Sequence, residues 1–387
     1  MKLLYLSTPY MADCDFPLVK ALQNKGIDVT YIVMVNQYSA HATLFDLDKL
    51  YDKDGIIPAK KYPQLFKYEG YFDLDRMMIL NNRSNRSSSF ASLRNVLTLR
   101  KYIKSNNFDV IQTTGHFEMY GCLLYEFGNK MVRTVHDPFP HKEQITLRKK
   151  IYRFICFKFV KKFILVNQKF LKEFQQYYKL SYDRITVSRL GVYDNIRSFA
   201  VASEKRVHNI LFFGNITPYK GVENIMKAMP KIIDAIPDAT LTIAGAGKLY
   251  MDKSLYEGKK YIQIINRFLS LEELAQLLSQ CEITVCPYNE ATQSGVIMTS
   301  FSLCKPVVAF NVGALSEQIE DRKTGLLLPP GDLDALSNSI IKLFREDGIV
   351  GSMSANIEKE YYNGSKSWAA IADQYIETYN TIKQAKK

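Results

Sequence analysis

The chain has 387 residues, 47% of them hydrophobic and 23% charged, a length and balance that suit two soluble α/β cores and exclude a disordered chain. Its net charge of +12 lies in the first half: residues 1–200 hold 31 Lys and Arg against 18 Asp and Glu, and residues 201–387 hold 20 against 21. No segment approaches the roughly 18 consecutive apolar residues of a membrane span, and the opening Met1-Lys2-Leu3-Leu4-Tyr5-Leu6 reads as a first strand, not a signal peptide.

Strands and helices alternate from end to end, which predicts parallel sheets with helices on both faces. In the first half the pattern predicts strands at 2–7, 29–35, 110–113, 131–135, 163–166 and 185–187, with the clearest helix at 16–25. Residues 81–90 read as a polar loop. The periodicity of 46–71 is too weak to assign. Two strands end in histidine-bearing loops: Gln112-Thr113-Thr114-Gly115-His116, and Thr134-Val135-His136-Asp137-Pro138. Strand C-terminal ends are where open α/β sheets bind ligands. His136 and Asp137 there either orient a ligand or form a structural hydrogen bond, and the residues favour neither.

The run from Arg148 to Lys162 mixes Lys and Arg with aromatic and aliphatic residues and contains no acid. As a helix it fits the surface of an anionic membrane, or equally an ordinary amphipathic helix on the sheet. No nucleic-acid module accompanies the charge, so no nucleic-acid partner is expected.

The second half begins after Gly191-Val192-Tyr193-Asp194, and a polar linker at 195–208 leads into it. Strands are predicted at 209–213, 240–244, 261–265, 283–285, 306–310 and 326–328, with a closing helix from Ser367 to Lys383. Two glycine-marked strand-to-helix junctions stand out. Ile210-Leu211-Phe212-Phe213-Gly214 leads through Asn215 and Thr217 to Lys220-Gly221. Ile283-Thr284-Val285-Cys286-Pro287-Tyr288 leads through Glu290 to Gln293-Ser294-Gly295-Val296. Helix N-termini present unpaired N–H groups and the positive end of the dipole. Lys220 adds a cation, and Gly295 lets backbone approach a ligand closely. Two such sites in one domain point to a diphosphate. The bland alternatives are a solvated Lys220 and a plain helix cap by Ser294.

Cys14, Cys122, Cys156, Cys281, Cys286 and Cys304 form no C-x-x-C, and no His stands at metal-ligand spacing to them, so they read as thiols of a reducing cytoplasm. Five Asp-x-Asp triplets begin at Asp13, Asp46, Asp52, Asp73 and Asp332. Asp332 follows Pro330-Gly331 and reads as a helix N-cap, and the others lack a buried strand before them to fix a metal. No metal ligand is assigned, and no cofactor is expected. The missing G-x-G-x-x-G after the first strand leaves a dinucleotide-dependent oxidoreductase without support.

The junctions carry a family resemblance. Gly214 through Lys220-Gly221-Val222-Glu223 is similar to the G-x6-K-G-h-E signature of retaining glycosyltransferases of the GT-B fold, family 4. The run from Pro287-Tyr288 through Ala291-Thr292-Gln293-Ser294-Gly295-Val296 to Lys305-Pro306-Val307-Val308-Ala309 resembles that family's second block. Val312-Gly313-Ala314-Leu315-Ser316-Glu317 and Thr324-Gly325-Leu326-Leu327 follow it.

The resemblance implies an α/β GT-B architecture, two Rossmann-like domains facing across a cleft. They would comprise an acceptor-side domain at 1–196 and a donor-binding domain at 205–365, with the helix at 366–387 packing back on the first. It implies metal-independent transfer of a sugar from a nucleotide-diphosphate sugar, UDP-linked by preference, with retention. The acceptor would be a saccharide or a lipid-linked saccharide in bacterial surface polysaccharide synthesis, and the enzyme cytoplasmic or peripheral on the inner membrane face.

By the same resemblance His116 lies near the reacting carbon and Lys220 holds the leaving diphosphate. Gly214, Asn215, Thr217, Glu290, Gln293, Ser294, Gly295, Val296 and Thr299 line the donor, and Arg267 and Phe268 lie by the base. Tyr10, Asp13, Asp15, His136 and Asp137 stand on the acceptor side. The chain departs from the family pattern at three points. Neither Asn215 nor Thr217 is the usual Arg, and the family's two glutamates fall at Ala291 and Thr299. Those departures keep open a non-catalytic sugar-nucleotide binding subunit; the same fold also serves sugar-nucleotide 2-epimerases, a second rival that would want acidic residues around the sugar, of which the cleft motifs offer few.

Overall fold

A computed structural model describes residues 1–36, 39, 45–47, 50, 52–115, 117–139, 146–201 and 206–384. The chain divides into two units, Met1–Leu190 with Trp368–Lys387, and Gly191–Ser367.

In the first unit, β1 (Lys2–Ser7), α1 (Ala12–Asn24), β2 (Asp28–Asn36), β3 (Gly55–Pro58), β4 (Met77–Asn82) and α2 (Phe90–Asn106) follow in order. Then come β5 (Val110–Thr113), β6 (Met131–Val135), α3 (Leu147–Phe159), β7 (Lys162–Leu165), α4 (Leu171–Tyr178) and β8 (Ile185–Val187). The sheet order is β3-β4-β2-β1-β5-β6-β7-β8. Only β3 runs antiparallel to its neighbour. β1 is central and buried on both faces, which explains the unbroken apolar run of Leu3 to Leu6.

The polar loop expected at 81–90 is shorter than the composition implied. Asn81 and Asn82 close β4, and their pairing with Val35 and Asn36 extends the sheet. Asn81 is tied down from both sides, its amide donating to Lys53 O and its carbonyl accepting from Asn95 Nδ2. At the other end Ser89 caps α2 by accepting from the Ser92 amide.

The second unit contains β9 (Asn209–Phe213), α5 (Val222–Ala235), β10 (Thr240–Ala244), β11 (Ile262–Ile265), α6 (Leu271–Gln280), β12 (Ile283–Cys286) and α7 (Gly295–Ser302). It continues with β13 (Val307–Phe310), α8 (Leu315–Gln318), β14 (Gly325–Leu328), α9 (Leu333–Arg345) and α10 (Ile349–Tyr362). Its six strands are all parallel, in the order β11-β10-β9-β12-β13-β14. The capping chemistry is local and readable. Ser270 and Glu273 form a capping box on α6, and Asp332 caps α9 through the Ala335 amide. The stretch read as a linker begins in regular structure: Asp194–Phe199 forms a 3-10 turn whose Ile196 packs with Leu274, Ala275 and Leu278. Its two apolar residues, diluted among polar ones, seat it on α6.

The closing helix α11 (Trp368–Gln384) belongs to the first unit, where it packs beside α1. Its buried tyrosines reach sheet side chains. Tyr375 Oη lies 3.0 Å from Thr134 Oγ1, and Tyr379 Oη donates to Gln112 Oε1 at 3.1 Å. Gln112 Nε2 in turn donates to Thr134 Oγ1 at 2.8 Å, so the helix tyrosines and these two buried side chains of β5 and β6 satisfy one another. Tyr379→Ala is expected to lower the unfolding free energy of this unit by about 3–5 kcal/mol, as for other large buried aromatics. Tyr379→Phe, which removes only the hydroxyl, should cost about 1 kcal/mol. Denaturant melts followed through Trp368, the chain's single tryptophan, read both; an unchanged midpoint for Tyr379→Ala would rule out this docking of α11.

Candidate functional site

The C-terminal ends of β9 and β12 carry the two glycine-marked loops of the second unit, and the fold binds them to each other. Gly221 has φ +60° and faces the Pro287 carbonyl so closely that a Cβ would overlap its oxygen. Asn224 donates to that same carbonyl at 3.0 Å and to Asn289 Oδ1 at 3.1 Å. Asn289 returns bonds to Tyr219 O and Pro218 O. Gly313, at φ +55°, is held against Ala291 O in the same way, and the Ala314 amide donates to Thr292 O. These positions demand glycine because L side chains avoid positive φ and no space remains for a Cβ.

Lys220 stands where the loops meet. Its ammonium lies against Gly214 and 5.7 Å from the centre of the Tyr288 ring. The residue is half-buried, and the removal of its ammonium from water pushes its pKa down. Among the described residues no carboxylate pairs with its ammonium and no hydrogen bond engages that group. Burial also pushes the neighbouring Cys286 thiol up to about 11 and the Tyr288 phenol well above its ordinary value, so neither supplies a counter-charge at neutral pH. The Thr217 hydroxyl is buried nearby in sequence and has no hydrogen-bond partner.

The helix α7 begins at this place. Val296 touches the Gly214 side of the site, and the Tyr193 ring stands over Gly295. Ser294 is not a side-chain cap. Its backbone N–H donates to Gln318 Oε1 at 2.7 Å and its carbonyl accepts from Gln318 Nε2 at 3.0 Å. The Gln318 amide thus does the positioning, and the Ser294 hydroxyl lies 3.4 Å from Tyr288 Oη. Thr299 Oγ1 donates back to Gly295 O at 2.9 Å, a bond within the helix. Asn215 and Glu290 are exposed and Gln293 is half-buried.

At the end of β11, Asn266 Oδ1 accepts from the Gly247 amide, fixing the adjacent loop. Arg267 is committed to Glu273 through two hydrogen bonds of 2.8 and 2.5 Å, which hold that carboxyl down at about 2. Phe268 is 62% exposed, available as a flat apolar surface.

In the first unit, Asp15 is buried and accepts from the hydroxyls of Tyr5, Ser7 and Thr114. Desolvation outweighs these bonds and pushes its carboxyl up to about 7. The carboxylate is therefore spent on the protein's own strand ends. Asp13 is raised to about 6 by burial, and Tyr10 is exposed. His136 is pushed down to about 4 by loss of water, so it is neutral at pH 7, with Nε2 3.7 Å from Cys14 Sγ. The Asp137 and Pro138 carbonyls both accept from Arg153 of α3 at 2.6 Å. His116 lies outside the described residues. Tyr193, Asn224, Tyr288, Gln318 and Gly313 were not among the residues singled out as ligands. Tyr288, Gln318 and Gly313 lie in or just beside the second motif block, and only the fold shows what they do.

A family model described as glycosyl transferases group 1 matches residues 207–346, and one described as Glycosyltransferase Family 4 matches residues 17–195. An uncharacterised glycosyltransferase of Methanocaldococcus jannaschii is 27% identical over 186 residues, 47% of each chain. The GDP-mannose:glycolipid 4-beta-D-mannosyltransferase of Xanthomonas campestris pv. campestris is 25% identical over 47% of this chain and 50% of its own. The chain thus spans about half the length of these relatives. Among solved structures, Anabaena HepE in complex with UDP superposes with a TM-score of 0.65 at 15% identity, over 98% of this chain and 100% of that one. Sucrose-phosphate synthase from Thermosynechococcus elongatus does so with 0.65 at 16%, over 100% of both. Both share this fold.

Two outcomes follow from the packing. Gly313→Ala should destabilise the second unit by roughly 1–3 kcal/mol, the scale of a residue forced into unfavourable backbone geometry; a melt equal to wild type would mean the 291–294 loop yields freely. Asp15, with its carboxyl raised from an unfolded value near 4 to about 7, stabilises the fold at low pH and loses that contribution as pH rises from about 4 through 7. The melting temperature of wild type relative to Asp15→Asn should therefore fall across that window, and a constant difference would contradict a raised carboxyl.

Proposed function

The chain belongs to the glycosyltransferases of group 1 and family 4, and from that membership we propose that it moves a sugar from a nucleoside-diphosphate sugar to a saccharide or lipid-linked acceptor. The observation that carries this reading is Lys220, a largely buried ammonium that faces no anion of its own. A buried charge without a partner is costly, and a bound diphosphate would relieve that cost. The N-terminus of α7 would add backbone N–H groups and its dipole to the same oxygens.

In the transfer, the bond from the anomeric carbon to the diphosphate oxygen breaks and the acceptor oxygen bonds to the same face of the sugar. That same-face attack retains the anomeric configuration, and the acceptor proton passes to the leaving diphosphate. Negative charge grows on that diphosphate as the bond breaks, and preorganised donors that meet it there lower the barrier. We assign that task to Lys220 and the α7 N-terminus, with no metal in the scheme. Phe268 offers its exposed ring to the base. UDP is the first nucleotide to test, since HepE was solved with UDP and with UDP-glucose. Growth of a surface polysaccharide on a lipid carrier would be the setting for such an acceptor.

The missing carboxylates at Ala291 and Thr299 favour one second reading, a subunit that binds the sugar nucleotide without turning it over. A thermal-shift titration with UDP, GDP, CMP, ADP and NAD separates the readings. A ligand at 100 times its dissociation constant adds about 2.7 kcal/mol to the folded state, and one nucleoside diphosphate should do so for wild type but not for Lys220→Ala. An equal shift in the variant would remove Lys220 from the site. Binding without release of nucleotide in the presence of any acceptor would select the binding subunit.

A further inference from the structure

We propose that the face of the first unit built by α2, residues 119–130 and α3 is a docking surface for an anionic lipid bilayer. This goes beyond the transfer reaction, since it concerns a surface outside the residues assigned to donor or acceptor.

The three segments lie side by side. Residues 119–130 pack against both α2 and α3, and all three bury residues in one core on the same side of the sheet, among them Leu99, Leu124 and Phe157. Arg148 ties the start of α3 to the others, donating to Ser87 Oγ and pairing with Glu118 at 3.3 Å. What this layer turns outward is unusual for a helix on a sheet. Of the 13 residues of α3, only Cys156 and Phe157 are buried. Leu147, Ile151 and Phe154 are 75%, 50% and 67% exposed, and their i, i+4, i+7 spacing puts them on one stripe of the helix. Phe90 and Leu97 of α2 and Leu123 are exposed as well.

Charge decides what such a surface fits. Arg94 and Lys101 on the Phe90–Leu97 side of α2, and Lys150 and Lys158 beside the α3 stripe, are exposed and have no carboxylate partner among the described residues. Arg100 and Lys104 differ, because Glu126 takes both. The face therefore combines unpaired cations with large apolar side chains between them. An aqueous surface has no use for a 67% exposed phenylalanine beside a 75% exposed leucine. A bilayer interface uses both parts, the apolar stripe entering the headgroup boundary and the cations meeting anionic headgroups. Among the described residues no helix is long and apolar enough to cross a membrane, so the association would be peripheral.

The test is flotation of the full chain with vesicles, without nucleotide, at physiological salt. Vesicles of phosphatidylglycerol and phosphatidylcholine in equal parts should carry the protein up, and pure phosphatidylcholine should not. Lys150→Ala with Lys158→Ala should weaken binding about thirtyfold, about fivefold for each lysine near the surface. Ile151→Ser with Phe154→Ser should weaken it at least tenfold while changing the melting temperature little, because at least half of each residue is already in solvent. Equal flotation with both vesicle types, or full binding by the serine variant, would overturn the proposal. So would tighter binding to a 20-base-pair DNA duplex than to the anionic vesicles at the same salt, which would assign the cations to nucleic acid. None of these readings depends on catalysis, so a failed nucleotide titration and a failed flotation remain separate results.

Discussion

Backbone approaches that admit no side chain hold the C-terminal site together. Gly221 sits against Pro287 O, Gly245 against Gly214 O and Gly313 against Ala291 O, each at a positive φ. Contacts of this kind are set by covalent chain dimensions and not by rotamer choice, so they leave little slack. The loop after β9 and the loop after β12 become one surface, with Asn224 and Asn289 adding side-chain bonds across the seam. Lys220 precedes Gly221 directly and inherits its position from that seam. Gln318 does the same for the other half by clamping Ser294 through both backbone groups.

Within that frame the treatment of buried cations is selective. Lys305 is buried and donates to the carbonyls of Ser279 and Cys281. Lys366 is buried and paired with Glu320. Lys220 alone of these three has neither carbonyl nor carboxylate, although the same chain satisfies the others by ordinary means. Its surroundings, a thiol and a phenol that burial keeps protonated, leave its charge unopposed. The first unit shows the reverse. Burial raises Asp15 and lowers His136, so both groups move toward their neutral forms, and hydroxyls absorb what polarity remains.

How much of this was legible in the sequence follows from how local each cause is. The parallel strands of the second unit are short apolar runs with glycine at their ends, and their residues read directly. Asp332 as a cap was equally local. The edge of the first sheet was hidden because β3 and the apolar core of β4 are only four residues each, and Asn81 looks like loop until Lys53 and Asn95 are seen to satisfy it. The burial of Asp15 was invisible for another reason: its hydroxyl partners Tyr5 and Thr114 come from β1 and from the turn after β5. The exposure of Leu147, Ile151 and Phe154 was likewise not readable, since the same spacing serves a helix packed on its sheet.

The departures from the family pattern acquire physical content once the loops are placed. At Ala291 the missing carboxylate costs little structurally, because the backbone there is already fixed by Gly313 and no side chain is needed to hold the turn. At Thr299 the hydroxyl proton is spent on Gly295 O, leaving lone pairs that can accept but no free donor. A sugar hydroxyl can donate to such an oxygen, yet a neutral hydroxyl makes a weaker partner than a carboxylate. In the proposed transfer, recognition of a sugar nucleotide would thereby shift from the ribose toward the diphosphate, where Lys220 and the α7 N-terminus offer positive potential. That shift is compatible with turnover, because the diphosphate is where charge grows as the sugar leaves, whereas ribose contacts hold ground state and transition state alike.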